Sequence, residues 1–182
     1  MKKSSPKAAT ENVENENDEH MDNDLHELFL DELSDLYSAE QQLTKALPKV
    51  LKAAQSDQLK TAIEDHLRET EGHVDRLEQV FQSLGEKIKR KTCAAMKGLV
   101  EETSELLKEQ KGKASIDAAI ISAAQKVEHY EIASYGTVRS WARQMGHEDA
   151  VSLLEATFEE EKAADAKLTE IAESTANEEA AR

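Results

Sequence analysis

Cysteine, proline, glycine and aromatic residues are all scarce in this chain. A single Cys among 182 residues, Cys93, leaves no partner for an intramolecular disulfide and no multi-cysteine zinc site. Two Pro, six Gly and 4% aromatic residues disfavour a β-sandwich or barrel, which needs tight turns and β-forming side chains. No run of ~18 apolar residues is present, so no membrane span is expected. Positive charge is short as well. Lys and Arg number 23 against 38 Asp and Glu, a formal net charge of -15. Binding to duplex nucleic acid needs the opposite balance. What the chain does have is charge, at 34% of residues, laid over helical apolar periodicities. Its length predicts one domain.

Residues 1–21 carry almost nothing that could enter a core and read as a disordered tail. Lys2 and Lys3 are not followed by an apolar stretch, so this is not a secretory signal; with one Cys, a cytoplasmic location is the simplest reading. The folded part is expected over 22–175, with 176–182 fraying. A first helix spans about Asp22 to Gln55, with a stripe of Leu25, Phe29, Leu33, Leu36, Leu43, Leu47 and Val50. Pro48 lies inside it and predicts a kink or an end near Ala46. Ser56 and Asp57 can cap a second helix that stops at Gly85. Residues 86–114 read as a connection with a short helix of its own. Ser115 is placed to cap a third long helix, Ile116 to Met145, and after Gly146 a fourth runs from Glu148 to about Ser174. Two short links make two antiparallel hairpins, and the long link makes a crossover. That is the ferritin-like four-helix bundle, an all-α fold.

Each inner stripe is interrupted by polar residues at its middle. Glu40 stands between Leu36 and Leu43, while His66, Glu69 or Thr70, and His73 stand between Ile63 and Leu77. Glu131 follows Val127, with Glu128 one step round the helix, and Glu161 and Asp165 precede Leu168. One such residue reads equally well as an edge position with its head in water. Four interruptions at matching depth read differently, because buried carboxylates need a compensating charge. Lys126, Lys162 and Lys167 fall beside the stripes, not on them. Two divalent cations would balance roughly four carboxylates, and oxygen-rich ligands with imidazole and no thiolate favour iron or manganese. Tyr37, Tyr130, Tyr135 and Trp141 read as packing residues. Glu32, Asp35, Glu78, Glu159 and Glu160 read as solvated charges, and Cys93 as a packed connector residue.

Five strings carry a family resemblance: LFLDELSDLYSAEQQLTKALPKV, HLRETEGHVDRLEQVFQSLGEK, KTCAAMKGLVEE, VEHYEIASYGTVRSWA and EEEKAADAKLTEIA. Over about residues 24–173 they resemble the YciE/YciF family of bacterial stress-response proteins. The resemblance implies a ferritin-like, rubrerythrin-related fold, a homodimer and a dinuclear metal site, but no known reaction. One departure stands out. The wider ferritin-like pattern is Glu-x-x-His, yet Thr70 lies three before His73 and Glu69 lies four before it. Glu161 is followed by Asp165, with no His on that helix.

The expected metal ligands are therefore Glu40, Glu69, His73, Glu128, Glu131, Glu161 and Asp165, with His66 and Tyr135 orienting them. Bound iron or manganese would act on a small oxidant, peroxide or oxygen. The competing reading is a non-enzymatic dimeric scaffold that binds partners through its charged surface, with the site empty. A mineral-storing cage ranks below both.

Overall fold

In the computed structural model, residues 13–182 are described, with side chains from residue 24 onward. The tail expected over 1–21 thus lies outside the described side chains, and residues 1–12 lie outside the structure's description altogether. The helices are α1 (Val13–Ala53), α2 (Asp57–Leu84), α3 (Ala94–Glu109), α4 (Ile116–Gln144), α5 (Glu148–Ile171) and α6 (Asn177–Ala180). A π-helical turn, Ala172–Ala176, joins the last two. No strand occurs among the described residues. No helix among them is long and apolar enough to cross a membrane.

The hairpin turns are made by the residues the sequence nominates. Ser56 Oγ accepts from the Leu59 backbone N–H at 3.2 Å and caps α2. Gly85 ends that helix with φ 69°, a left-handed conformation that only glycine adopts without penalty. There Glu86 N–H reaches back to the Phe81 carbonyl at 3.0 Å. Gly146 ends α4 with φ 74° in the same way.

Two expectations are corrected. Helix α1 does not end near Ala46 but runs through Pro48 to Ala53. The ring removes one N–H, but Leu47 and Val50 on either side are buried, and that packing outweighs one lost bond. What fixes the end of α1 is Asp117. This carboxylate, buried in the first turn of α4, accepts the backbone N–H groups of Gln55 and Ser56, each at 2.8 Å. Ser115, in turn, supplies no side-chain cap to α4; its hydroxyl donates to Gln110 instead, at 2.9 Å. Beyond Ile171 the chain continues in helical form to Ala180, with Ala176 buried.

Helices α1 and α2 pair as one hairpin and α4 and α5 as the other; α2 packs on α5 and α1 on α4. The crossover strand of chain before α3 is pinned to α1 by Lys89 N–H on Ser34 Oγ and Cys93 N–H on Ser38 Oγ, at 3.2 and 3.0 Å. Helix α3 then lies against α1 and α4. Cys93 is fully buried, caps α3 through its sulfur, and is a packing residue as expected. This is the ferritin-like arrangement that the loop lengths predict.

The core has three layers along the bundle axis. A lower apolar half holds Phe29, Leu33, Leu36, Leu77, Phe81, Val138 and Leu154. An upper one holds Leu43, Leu47, Leu59, Ile63, Ile120, Val127 and Leu168. Between them every helix of the bundle contributes buried polar side chains.

Candidate metal centre

Helix geometry explains who enters the middle layer. On α2 the inner line is Ile63, His66, Thr70, His73, Leu77, at alternating steps of three and four. Glu69 is one residue off that line, about 100° round the helix, and its side chain is 46% exposed. On α5 the line runs Leu154, Thr157, Glu161, Leu168, and Asp165 falls at the edge. There Asp165 accepts from Gln125 Nε2 at 3.1 Å and faces the exposed His129. The structure thus does not bring Glu69 or Asp165 into the layer. Both were chosen for a four-residue spacing that keeps side chains on one broad face without choosing the inward position.

The rest converge. Glu40, His73, Glu131 and Glu161 are wholly buried, and Glu128 nearly so. Two sets of donor atoms lie mutually within 4.8 Å: His66, Glu128, Glu131 and Glu161, and Glu40, His73 and Glu161. Glu161 is common to both. On α4 both Glu128 and Glu131 enter the layer, since three residues separate them on one face and both are buried. His66, expected to orient ligands, offers a donor nitrogen directly. Tyr135 takes the expected orienting position, with its hydroxyl donating to Glu40 Oε1 at 2.5 Å. Thr70 occupies the place that Glu holds in a Glu-x-x-His pair. Its hydroxyl is spent on the His66 carbonyl at 2.8 Å.

Sequence reasoning missed Glu160 and Arg76. Glu160 Oε2 contacts His73 Nε2 at 2.9 Å, and Arg76 holds both Glu160 oxygens, at 2.7 and 3.1 Å. The imidazole is thereby fixed with Nε2 toward Glu160 and Nδ1 toward Glu161 and Glu40, at 3.0 and 3.5 Å. Arg76, one turn after His73 on α2, was the available signal. Asp35 is likewise no free surface charge, since Tyr130 donates to it at 3.0 Å.

The electrostatics follow from enclosure. Burial pushes the Glu40, Glu128 and Glu131 carboxyls above the usual range, and the neighbouring carboxylates push in the same direction. Burial alone would lower His73 and His66. The facing Glu161 and Glu40 instead raise His73 to about 10, and Glu128, Glu69 and Glu161 raise His66 to about 9. Burial would raise Glu161, but the two imidazoles hold it below its ordinary value. The protons on these imidazoles are the layer's own compensating charge.

That compensation is incomplete. Among the described residues, ten buried side-chain polar atoms have no hydrogen-bond partner, and all but Arg139 Nε belong to this layer. They include both oxygens of Glu131 and of Glu161, both nitrogens of His66, and His73 Nδ1. Buried groups left this way cost stability unless something else binds them. Four carboxylates and two imidazoles offer oxygen and nitrogen donors, with no sulfur, to a metal ion. The residues present therefore fit a metal centre.

Comparison with known proteins agrees with the fold. The family described as "Domain of unknown function (DUF892)" matches residues 24–181. Protein YciF of Escherichia coli K12 is 48% identical over 157 residues, covering 86% of this chain and 95% of that protein. The crystal structure of the E. coli stress protein YciF superposes with a TM-score of 0.81 at 49% identity, over 84% of this chain and 97% of that one. YcfI from Rhodopseudomonas palustris gives 0.77 at 46% identity, over 80% and 92%. A Xanthomonas campestris protein shares only the fold, with a TM-score of 0.67 at 19% identity over 86% and 95%.

Proposed function

The chain belongs to the DUF892 family, the YciE/YciF stress proteins, and on that premise we propose that it is a ferritin-like metalloprotein with a dinuclear iron or manganese site. The carrying observation is the set of buried, unpartnered carboxylate and imidazole atoms, concentrated in one layer to which all four bundle helices contribute. Glu40 and His73 would hold one ion, and His66, Glu128 and Glu131 the other. Glu161, shared by both donor sets, would lie between them. Iron or manganese bound there supplies one-electron redox chemistry toward a small oxidant such as peroxide or oxygen.

The protein's own contribution is positional. The Glu160–Arg76 pair keeps His73 Nδ1 aimed into the layer, and Tyr135 orients Glu40. The apolar lower half keeps bulk water from its side of the layer, which raises the strength of the charge interactions there. As in the resembling family, the working unit would be a homodimer, which sedimentation can check.

Metal analysis tests this reading. Full-length protein expressed with iron and manganese supplements should hold about two ions per chain. Glu161→Ala removes the shared residue and should lower that to below about one. A wild-type chain with under about 0.2 ion would overturn the reading; where the ions are held, peroxide consumption by the loaded protein is compared with that of its Glu161→Ala variant.

A further inference from the structure

The upper apolar half encloses a cavity of about 520 Å³. It is open because small side chains, among them Ala62, Ala123, Ala163 and Ala164, face a space otherwise walled by Leu43, Leu47, Ile63 and Ile120. Its floor is chemically different. His66 and Glu128 line it, both at least nine-tenths buried. Both nitrogens of His66 and Oε2 of Glu128 have no hydrogen-bond partner. Exposed Lys49, Asp65 and Lys167 mark the water-facing rim. Along α4 the lining runs from Ile120 to Glu128, a rise of about 12 Å. The cavity lies within the range of small-molecule sites, with apolar walls and few polar groups at one end.

We propose that this cavity binds an elongated aliphatic molecule with one uncharged oxygen-bearing end, such as a medium-chain alcohol or alkyl hydroperoxide. The tail lies among α1, α2, α3, α4 and α5, all of which line the cavity, and the oxygen end meets His66 and Glu128. The walls select the tail, since they offer it apolar contact along two helical turns. The floor selects the end group. It supplies both nitrogen and oxygen atoms that lack partners, so a hydroxyl, which donates and accepts, matches it better than a carboxylate, which only accepts. Residues 1–12 do not complement this space, since Met1, Pro6, Ala8 and Ala9 are their only apolar side chains and none is long and aliphatic beyond Met1. The site needs no metal. Where the ions are present, it brings the oxygen of such a molecule to the layer that holds them.

The test uses the full chain freed of metal by chelation, titrated calorimetrically with 1-nonanol, nonanoate and 1-propanol. Saturable nonanol binding is expected, with nonanoate and propanol each at least about tenfold weaker. Ala123→Leu and Ala164→Leu fill the cavity. They should melt at or above the wild-type temperature and bind nonanol at least about tenfold more weakly, whereas Ala166→Leu on the exposed face of α5 should bind as wild type. No saturable nonanol binding, or unchanged binding in the filled variants, overturns the inference. So does a filled variant that melts well below wild type, since the space is then not available. Nonanoate binding as tightly as nonanol overturns the uncharged end. Nonanol-driven dissociation of an oligomer overturns it in favour of a second copy as occupant. Because the protein is metal-free, these results stand apart from the metal analysis.

Discussion

The two apolar halves of the bundle are built from different side chains. All three Phe, the one Trp and two of the three Tyr belong to the lower half, and Tyr130 alone packs against the upper. The lower half is filled: at Gly136 even a methyl group would meet the Phe158 ring at 3.3 Å. The upper half is walled by Leu, Ile and Val but lined with Ala, and it holds a cavity of about 520 Å³. The same helices and the same periodicity thus give one half to stability and leave the other room for a guest. The polar layer sits at the boundary, where a filled half backs it on one side and an open one on the other.

Large-to-small substitutions should separate the halves most sharply. Phe29→Ala, in the filled half, should lose about 3–5 kcal/mol in chemical denaturation. Ile120→Ala, which only enlarges a space already present, should lie near the low end, about 2 kcal/mol. Equal losses would erase the distinction between the halves.

Converting the boundary into core comes next. Glu131→Leu removes a buried carboxyl and should raise the stability of the metal-free chain by about 1–4 kcal/mol while lowering its metal content. Destabilisation of the metal-free form would show that the layer is internally satisfied. Glu160→Gln keeps the fold but loosens the grip on His73, and metal affinity should fall about 10–100-fold by competition with a chelator.

A graded effect is expected from pH. His73 and His66 are raised above 6.5, to about 10 and about 9, so their contribution is full below pH 6.5 and is lost as pH climbs through those values. The raised carboxyls of Glu40, Glu128 and Glu131 act in the same sense, whereas Glu161, which is lowered, weakens the fold only below about its ordinary 4.5. Metal-free protein should therefore melt highest near pH 4.5 and progressively lower toward pH 10. Bound metal, which replaces these protons, should flatten the profile. The smallest change is Ser56→Ala at the upper end, about 1 kcal/mol for one lost cap.

Much of this was legible in the residues because helices repeat. Gly85, Gly146 and Ser56 mark their ends by local chemistry, and loop lengths then dictate the two hairpins and the crossover. The depth of the polar layer was legible too, from Glu40, His73, Glu131 and Glu161. What periodicity could not give was the choice between neighbours. Glu69 and Thr70 differ by one residue, and only packing against α5 turns Thr70 inward. Glu160 was hidden in a run of three Glu, where the pattern marks one as inside but does not show that its neighbour braces His73. Asp117 was hidden for another reason. Its partners are backbone N–H groups about sixty residues away, and no side-chain pattern records them.

Pro48 carries a mechanical consequence. It stands in α1 between Leu47 and Val50, both of which line the cavity, and it leaves the Thr44 carbonyl without its N–H partner. Of the five helices around that space, α1 is the one that carries a proline. With one backbone bond fewer inside the helix, the position of this wall depends on the two bonds by which Asp117 anchors the chain at Gln55 and Ser56.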